Sequence, residues 1–380
     1  MKRLVLAISL VALLACSAFA GSPFTFYGFV RGEAIYDDAE IIKGDWLLYA
    51  PSGIDTTDTK TFTMTGRHSR IGVKLDGGTD DAGRTIKGLI EADFAGGFPN
   101  SSTAARQPQL RLRHAWVEWA QPETWAFRVG QDWALISGPF PGTTSFVVGA
   151  GKGNLWMRYP QAKLTVNAGP AKVAVSVNRP MAGNVKYNDF TGGDFDPIGD
   201  GEKTGLPWYM GRVWLNFGAV GVSASGHLGK ESIADGSGDR HDVDTWSAGG
   251  DVTFSSGPLA LYGRYWVGEN LNSFFGGVFQ GFTTDANSVT SLPASGGWGQ
   301  VKYAIGKQLA ATVGGGVDQA NPAEGITVSR EKQNWLFANV AYKVNKQLSY
   351  TVEWENLTTV WTGQDDGKVN RLHFVALYKF

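Results

Sequence analysis

Cysteine is all but missing: the 380-residue chain has one, Cys16. Charge is sparse as well, at 18% of residues against about 25% in an ordinary globular domain. Neither sign prevails, with 34 Lys+Arg against 35 Asp+Glu, so no basic excess invites nucleic acid. Long apolar runs are confined to the first twenty residues. Without a later run of about 18 apolar residues, no transmembrane helix follows. Glycine is abundant, 51 residues, and aromatics reach 12% with 14 Trp. The glycines show neither Gly-X-Y periodicity nor a low-complexity tract, which excludes collagen and disordered linkers.

Lys2 and Arg3, the apolar stretch Leu4 to Leu14, and Ala18-Phe19-Ala20 before Gly21 have the three parts of a secretory signal peptide. Residues 1–20 are therefore expected to be cleaved, leaving 21–380 as the mature domain. Cleavage removes two cations and no acid, which puts the mature chain near −3. It also removes Cys16, which a lipoprotein reading of Leu13-Leu14-Ala15-Cys16 would retain. An exported chain without a thiol is held by hydrogen bonds and packing alone.

Alternation with period two dominates the rest. Sixteen segments bounded by Gly, Pro, Asn or Asp read as strands: 24–37, 60–76, 84–96, 109–120, 124–133, 160–168, 171–180, 206–217, 219–230, 242–255, 258–271, 296–305, 308–320, 330–344, 346–360 and 367–380. Connections after even-numbered segments are short, such as Gly169-Pro170, Gly257-Pro258 and Asn345-Lys346. Those after odd-numbered segments are mostly long: 38–59, 134–159, 181–205 and 272–295. Short turns at one end and long loops at the other are the layout of an outer-membrane barrel. The predicted fold is thus all-β, a transmembrane antiparallel barrel of about sixteen strands.

Each segment has an apolar and a polar face. Ile86, Gly88, Ile90, Ala92 and Phe94 oppose Lys87, Glu91 and Asp93; Leu372, Phe374, Ala376, Tyr378 and Phe380 oppose Arg371 and His373. Periodicity does not say which face turns inward, since a soluble barrel has the inverse polarity. Export, the lack of sulfur and a strand number too large for side chains to fill favour the membrane version, with a polar lumen. Aromatics near segment ends, among them Phe24, Trp119, Trp125, Phe217 and Tyr342, suit the girdles at membrane interfaces. One segment breaks parity: Arg111 and Arg113 are followed by His114 and Glu118, and a β-bulge near Arg113 restores both halves.

Ser69-Arg70-Ile71-Gly72-Val73-Lys74 with Ile90-Glu91-Ala92-Asp93-Phe94 resembles a hairpin of Gram-negative porins. Leu110-Arg111-Leu112-Arg113-His114-Ala115-Trp116-Val117-Glu118-Trp119 and Val129-Gly130-Gln131-Asp132-Trp133 are similar to the DcaP-like porins, as is the opening Phe26-Tyr27-Gly28-Phe29-Val30-Arg31. The likeness covers about residues 24–135. It implies a trimeric channel for small anionic solutes, including dicarboxylates, in contact with outer-membrane lipid. The terminal Tyr378 and Phe380 resemble the signal read by barrel-assembly machinery. Only Gly21, Ser22 and Pro23 precede the first strand, so an N-terminal helical segment carried by some members is lacking.

If the polar face is the lumen, its cations are Arg31, Arg70, Lys74, Lys87, Arg128, Lys163, Lys172, Arg212, Arg264, Lys302, Lys343 and Arg371. Its acids are Glu33, Glu91, Asp93, Asp132, Asp251, Glu353 and Glu355. A basic lining favours anions. The third long loop, 134–154, is rich in Gly and apolar residues with Lys152 its only charge, a composition suited to folding into the barrel. Arg111, Arg113, Arg128 and Asp132 on the flanking strands are the expected constriction residues.

No cofactor motif is present. Gly149-Ala150-Gly151-Lys152-Gly153 lacks the spacing and the Ser/Thr of a P-loop. The five histidines make no His-x-x-x-His pair for zinc. Asp194, Asp196, Asp200 and Glu202 could offer oxygen ligands to Ca²⁺ but break EF-hand spacing. His114 with Ser69 or Asp93 is the one enzyme-like combination strands could assemble. The sequence therefore predicts a porin rather than an enzyme; the alternative is an adhesion or structural barrel with a closed lumen and partner-binding external loops.

Overall fold

The computed structural model describes residues 23–41, 44–52, 59–96, 108–181 and 198–380. The expected signal peptide lies outside them. Sixteen antiparallel strands form the wall. They are β1 (Phe24–Asp37), β2 (Thr61–Thr65 and Arg70–Thr79), β3 (Thr85–Gly96), β4 (Gln109–Gln121), β5 (Trp125–Trp133), β6 (Arg158–Ala168), β7 (Ala171–Asn178) and β8 (Trp208–Phe217). Then follow β9 (Val220–Ala234), β10 (Arg240–Ser256), β11 (Leu259–Glu269), β12 (Pro293–Ile305), β13 (Leu309–Ala320), β14 (Arg330–Lys343), β15 (Leu348–Trp361) and β16 (Gly367–Lys379). The two pieces of β2 pair with successive halves of β1 and occupy one position in the wall. β1 pairs with β16 from Phe29↔Lys379 to Asp37↔Arg371 and closes the barrel. The seam ends in a reciprocal backbone pair between Gly28 and Phe380, 3.2 Å each way. Every predicted segment corresponds to one of these strands.

Exposure resolves the polarity that periodicity left open. Val30, Ile90, Val129, Val175, Leu336, Val352 and Leu372 face outward and are exposed. Glu33, Asp93, Arg113, Asp132, Arg264, Glu353 and Arg371 face inward and are buried. An apolar outside and a polar inside is the arrangement a bilayer requires. The bulge lies where parity broke. Glu91 faces His114 and Ala92 faces Leu112, so Arg113 is the extra residue. Consecutive Arg113 and His114 are both buried as a result.

The long loops do more than cap the barrel. Residues 134–157 lie against the inward face of most of the wall. Arg212 on β8 donates to the Leu135 and Ser137 carbonyls at 3.2 and 2.6 Å. Arg264 on β11 donates to the Gly138 carbonyl at 3.0 Å, and Gln300 on β12 accepts from the Gly142 amide at 2.5 Å. Glu353 on β15 accepts from the Thr143 hydroxyl at 2.5 Å and the Thr144 amide at 2.8 Å. Returning, Lys152 reaches Glu355 at 3.2 Å, and Trp266 donates to the Gly153 carbonyl at 2.8 Å. Gly316 on β13 permits this approach: a Cβ there would lie 2.1 Å from the Lys152 carbonyl oxygen.

Two further loops enter, which the sequence did not indicate. Asp45 pairs with Arg67, Trp46 donates to His68 at 2.8 Å, and Leu47 and Ala50 pack on Trp335, Phe337, Leu357 and Val369. From the loop after β11, Phe274 joins the cluster of Leu135, Leu155, Tyr159 and Trp208, and Asp318 accepts the Val278 amide at 2.9 Å. Apolar inward residues near the long-loop end thus have loops to pack on, which a solvated lumen would not supply.

Candidate pore constriction

Around the bulge, four arginines and two carboxylates converge on the inward face. Arg113 binds Glu91 and Asp93, each at 2.8 Å. Arg111 holds Asp93 with two nitrogens, at 3.1 and 2.8 Å. Arg70 lies 3.4 Å from Glu91, and the Tyr27 hydroxyl donates to the same carboxylate at 2.9 Å. The fourth, Arg158 at the start of β6, stacks over Trp133 at 4.6 Å and Trp156 at 5.8 Å. It is buried, close enough to Arg70, Arg111 and Arg113 to feel their charge, and has no ion pair among the described residues. Stacking tolerates the guanidinium there, because its flat face is weakly hydrated and suits an aromatic ring.

Beside this cluster Asp132 gathers Arg128 at 2.6 Å, Lys163 at 2.6 Å and His114 at 3.1 Å. Arg128 also holds Glu118 at 2.6 Å and lies 3.7 Å over Trp116. His114 is therefore not set against Ser69 or Asp93 as an enzyme-like pair would need. Ser69 instead accepts the Arg31 amide at 2.9 Å.

The other predicted residues separate into two sets. Arg31 pairs with Glu33 at 2.8 Å and donates to the Thr144 carbonyl. Arg212 and Arg264 share Asp251, at 2.5 and 3.5 Å. Arg371 holds Asp37 at 2.7 Å. By contrast Lys74, Lys87 and Lys302 face inward near the short turns, are exposed, and have no ion pair among the described residues. Lys172 and Lys343 share that condition. A cavity of about 320 Å³ lined by Arg128, Lys163, Lys172, Arg212 and Glu118 opens in this half.

Of the oxygen ligands considered for Ca²⁺, Asp194 and Asp196 lie outside the described residues. Asp200 is taken by Arg240 at 2.7 Å and Lys203 at 3.7 Å. Glu202 is taken by Arg179 at 2.6 Å, and that hydrogen bond holds its carboxyl below the ordinary range. Glu353, Glu355 and His373 stand close enough to share an ion, yet Lys152 and Thr144 already occupy them.

Arg158 is the functional candidate that sequence reasoning missed. It precedes the segment expected at 160–168, in Asn154-Leu155-Trp156-Met157-Arg158, which reads as loop. Only Trp156, two residues before it, hints at a stacked cation.

A family model for Gram-negative porins matches residues 7–380. No curated protein matches the chain at a significant level. Among solved structures, the outer membrane channel DcaP of Acinetobacter baumannii superposes with a TM-score of 0.76 at 22% identity, over 94% of this chain and 97% of that one. The anion-selective porin of Comamonas acidovorans gives 0.59 at 12% identity, over 94% and 99%. A trimeric form of OmpT from Vibrio cholerae gives 0.60 at 13%, over 94% and 99%.

Proposed function

The chain belongs to the Gram-negative porin family, and from this we propose that it is a passive channel for small hydrophilic solutes, preferring anions such as carboxylates and dicarboxylates. Family and fold point to an outer-membrane channel rather than an enzyme. The preference rests on one observation, the balance of charge on the inner wall. Glu33, Asp37, Glu91, Asp93, Asp132, Asp251 and Glu355 each have a cation within 3.5 Å. Lys74, Lys87, Lys172, Lys302 and Arg158 have no ion pair among the described residues, although Lys87 lies opposite Asp76 and Glu118 on the neighbouring strands. Of the inner-wall acids without an ion pair among the described residues, Glu231, Asp318 and Glu353 are buried and Asp76 is exposed, so the exposed unpaired charge that a solute meets is mostly cationic. Low-dielectric walls focus that field, and a guanidinium fork matches a carboxylate with two parallel hydrogen bonds.

In this reading residues 134–157 narrow the pore, with Arg70, Arg111, Arg113 and Arg158 on the wall beside them. Residues 1–20 direct export and are removed. Tyr378 and Phe380, both outward and exposed, present the assembly signal. Three copies associate through their walls, as the trimeric neighbour suggests.

The test is the reversal potential of the purified protein in a planar bilayer under a salt gradient. An anion-selective potential is expected. A cation-selective one refutes the charge assignment, and a folded barrel with no conductance refutes the channel.

A further inference from the structure

On the short-turn side of residues 134–157, one indole faces the lumen with a lysine over it. Trp214 shares the inner face of β8 with the buried Trp208, Met210 and Arg212. The Lys172 ammonium, from β7, lies 4.4 Å from the centre of its ring. Trp214 is half-buried against the loop cluster. It also lines two open spaces: the cavity of about 320 Å³ on the side of β4 to β7, and one of about 350 Å³ toward β9 and β10. Ser137 roofs both, its carbonyl held by Arg212 at 2.6 Å.

Four cations line the first cavity, and they differ in what they have left. Arg128 is engaged by Glu118 and Asp132, and Lys163 by Asp132, each at 2.6 Å. Arg212 spends its nitrogens on Asp251, Ser223 and two loop carbonyls. Of the four, Lys172 alone has no ion pair among the described residues. An exposed ammonium gains little from a ring face, so an anion displaces it readily. An aliphatic carboxylate would take the ammonium and leave the indole facing water. An aromatic carboxylate replaces both partners at once, its carboxylate on the ammonium and its ring on the indole.

Size and charge narrow the ligand further. Ligand pockets run to roughly 300–1,000 Å³, so a cavity of about 320 Å³ suits a single ring. One uncommitted cation matches one carboxylate. A second carboxylate on the ring would find Glu118 in the lining and no free cation. We propose that this chamber seats an aromatic monocarboxylate, with its ring on Trp214 and its carboxylate on Lys172. The inference rests on the channel reading and refines its solute class.

The test is isothermal titration of the detergent-solubilised barrel with benzoate and with cyclohexanecarboxylate, which has the same charge and nearly the same size but no π face. Benzoate is expected to bind about fivefold more tightly. Trp214→Leu should bring the two to equal affinity, while Trp214→Phe keeps the preference. Lys172→Gln should weaken both about threefold. Terephthalate should bind no more tightly than benzoate. Equal affinities in the intact protein, a preference that survives Trp214→Leu, or no binding of either acid overturns the proposal. Tighter binding of terephthalate overturns the single-carboxylate assignment. Heat-modifiable gel mobility reports that the variants are folded, and the comparison on the intact protein stands without them. Titration needs no current, so seat and channel fail separately. An open channel with equal affinities sinks the seat alone, and a barrel without conductance that still prefers benzoate sinks the channel alone.

Discussion

At the long-loop end Arg371 and Asp37 are each 1% exposed and meet at 2.7 Å. Near the short turns Lys87 and Lys302 stand in the open with no ion pair among the described residues, although Lys87 lies opposite Asp76 and Glu118. Both groups sit on one inner wall, and the difference follows from what covers them. Three loops fold over the upper half, so a charge there loses its water and is held by an ion pair, by hydrogen bonds as at Glu353 and Asp318, or by a stacked ring as at Arg158. The lower half stays wet and water alone suffices. Ion pairs in the upper half therefore hold structure, while free cations in the lower half are left to act on solutes.

Substitution in the covered half should do the greatest damage. Arg371→Met strands a buried carboxylate, and breaking such a pair costs about 3–5 kcal/mol. Urea unfolding of the detergent-solubilised barrel, followed by tryptophan fluorescence, should show that loss. An unchanged midpoint would mean that Asp37 is not dry and that the halves do not differ. Lys152→Met should cost less, about 2 kcal/mol, because the Trp335 indole still donates to Glu355 at 3.1 Å. Its main readout is electrical. Loop 134–157 loses a tether, and single-channel traces should become larger and noisier. Steady, unaltered steps would show that Lys152 does not hold the loop.

The open half should respond the opposite way. Lys87→Glu with Lys302→Glu should leave stability within about 0.5 kcal/mol while moving the reversal potential toward cations. A large stability loss with unmoved selectivity would reverse the division proposed between the halves. Smallest of all is Glu202→Gln in an external loop. Arg179 lowers the Glu202 carboxyl, so the pair's contribution is full above the ordinary carboxylate range and fades as pH falls through the lowered value. Exposed pairs of this kind contribute about 0.2–1 kcal/mol. The variant should be marginally less stable at neutral pH and equal to the parent in strong acid, with or without Ca²⁺. A Ca²⁺-dependent rise in melting temperature that the variant loses would restore the ion-site reading.

The wall was legible because strand alternation is local. Lys87, Glu91 and Asp93 declare one face within seven residues, and the parity break at Arg113 and His114 announced its own bulge. Partners were harder. Lys87 could be expected to pair with Glu91 along one strand, yet Glu91 is taken by Arg113 and Arg70 from the two neighbouring strands. Residues 134–154 could be singled out by their lack of charge. Residues 44–52 could not, since Asp45 and the strand arginines resemble any exposed loop beside any polar face until the chain is closed.

The sequence by itself determined strand number, the two-faced wall and loop-length segregation, because each is written in contacts between near neighbours. Tertiary structure alone decided which loops turn inward and which charges remain free. Lys152 and Glu355 lie 203 residues apart. Arg158 gains its setting from Trp133 and Trp156 only when residues 134–157 double back. Charges that far apart along the chain are matched by barrel closure, and closure settles which cations are left for a solute.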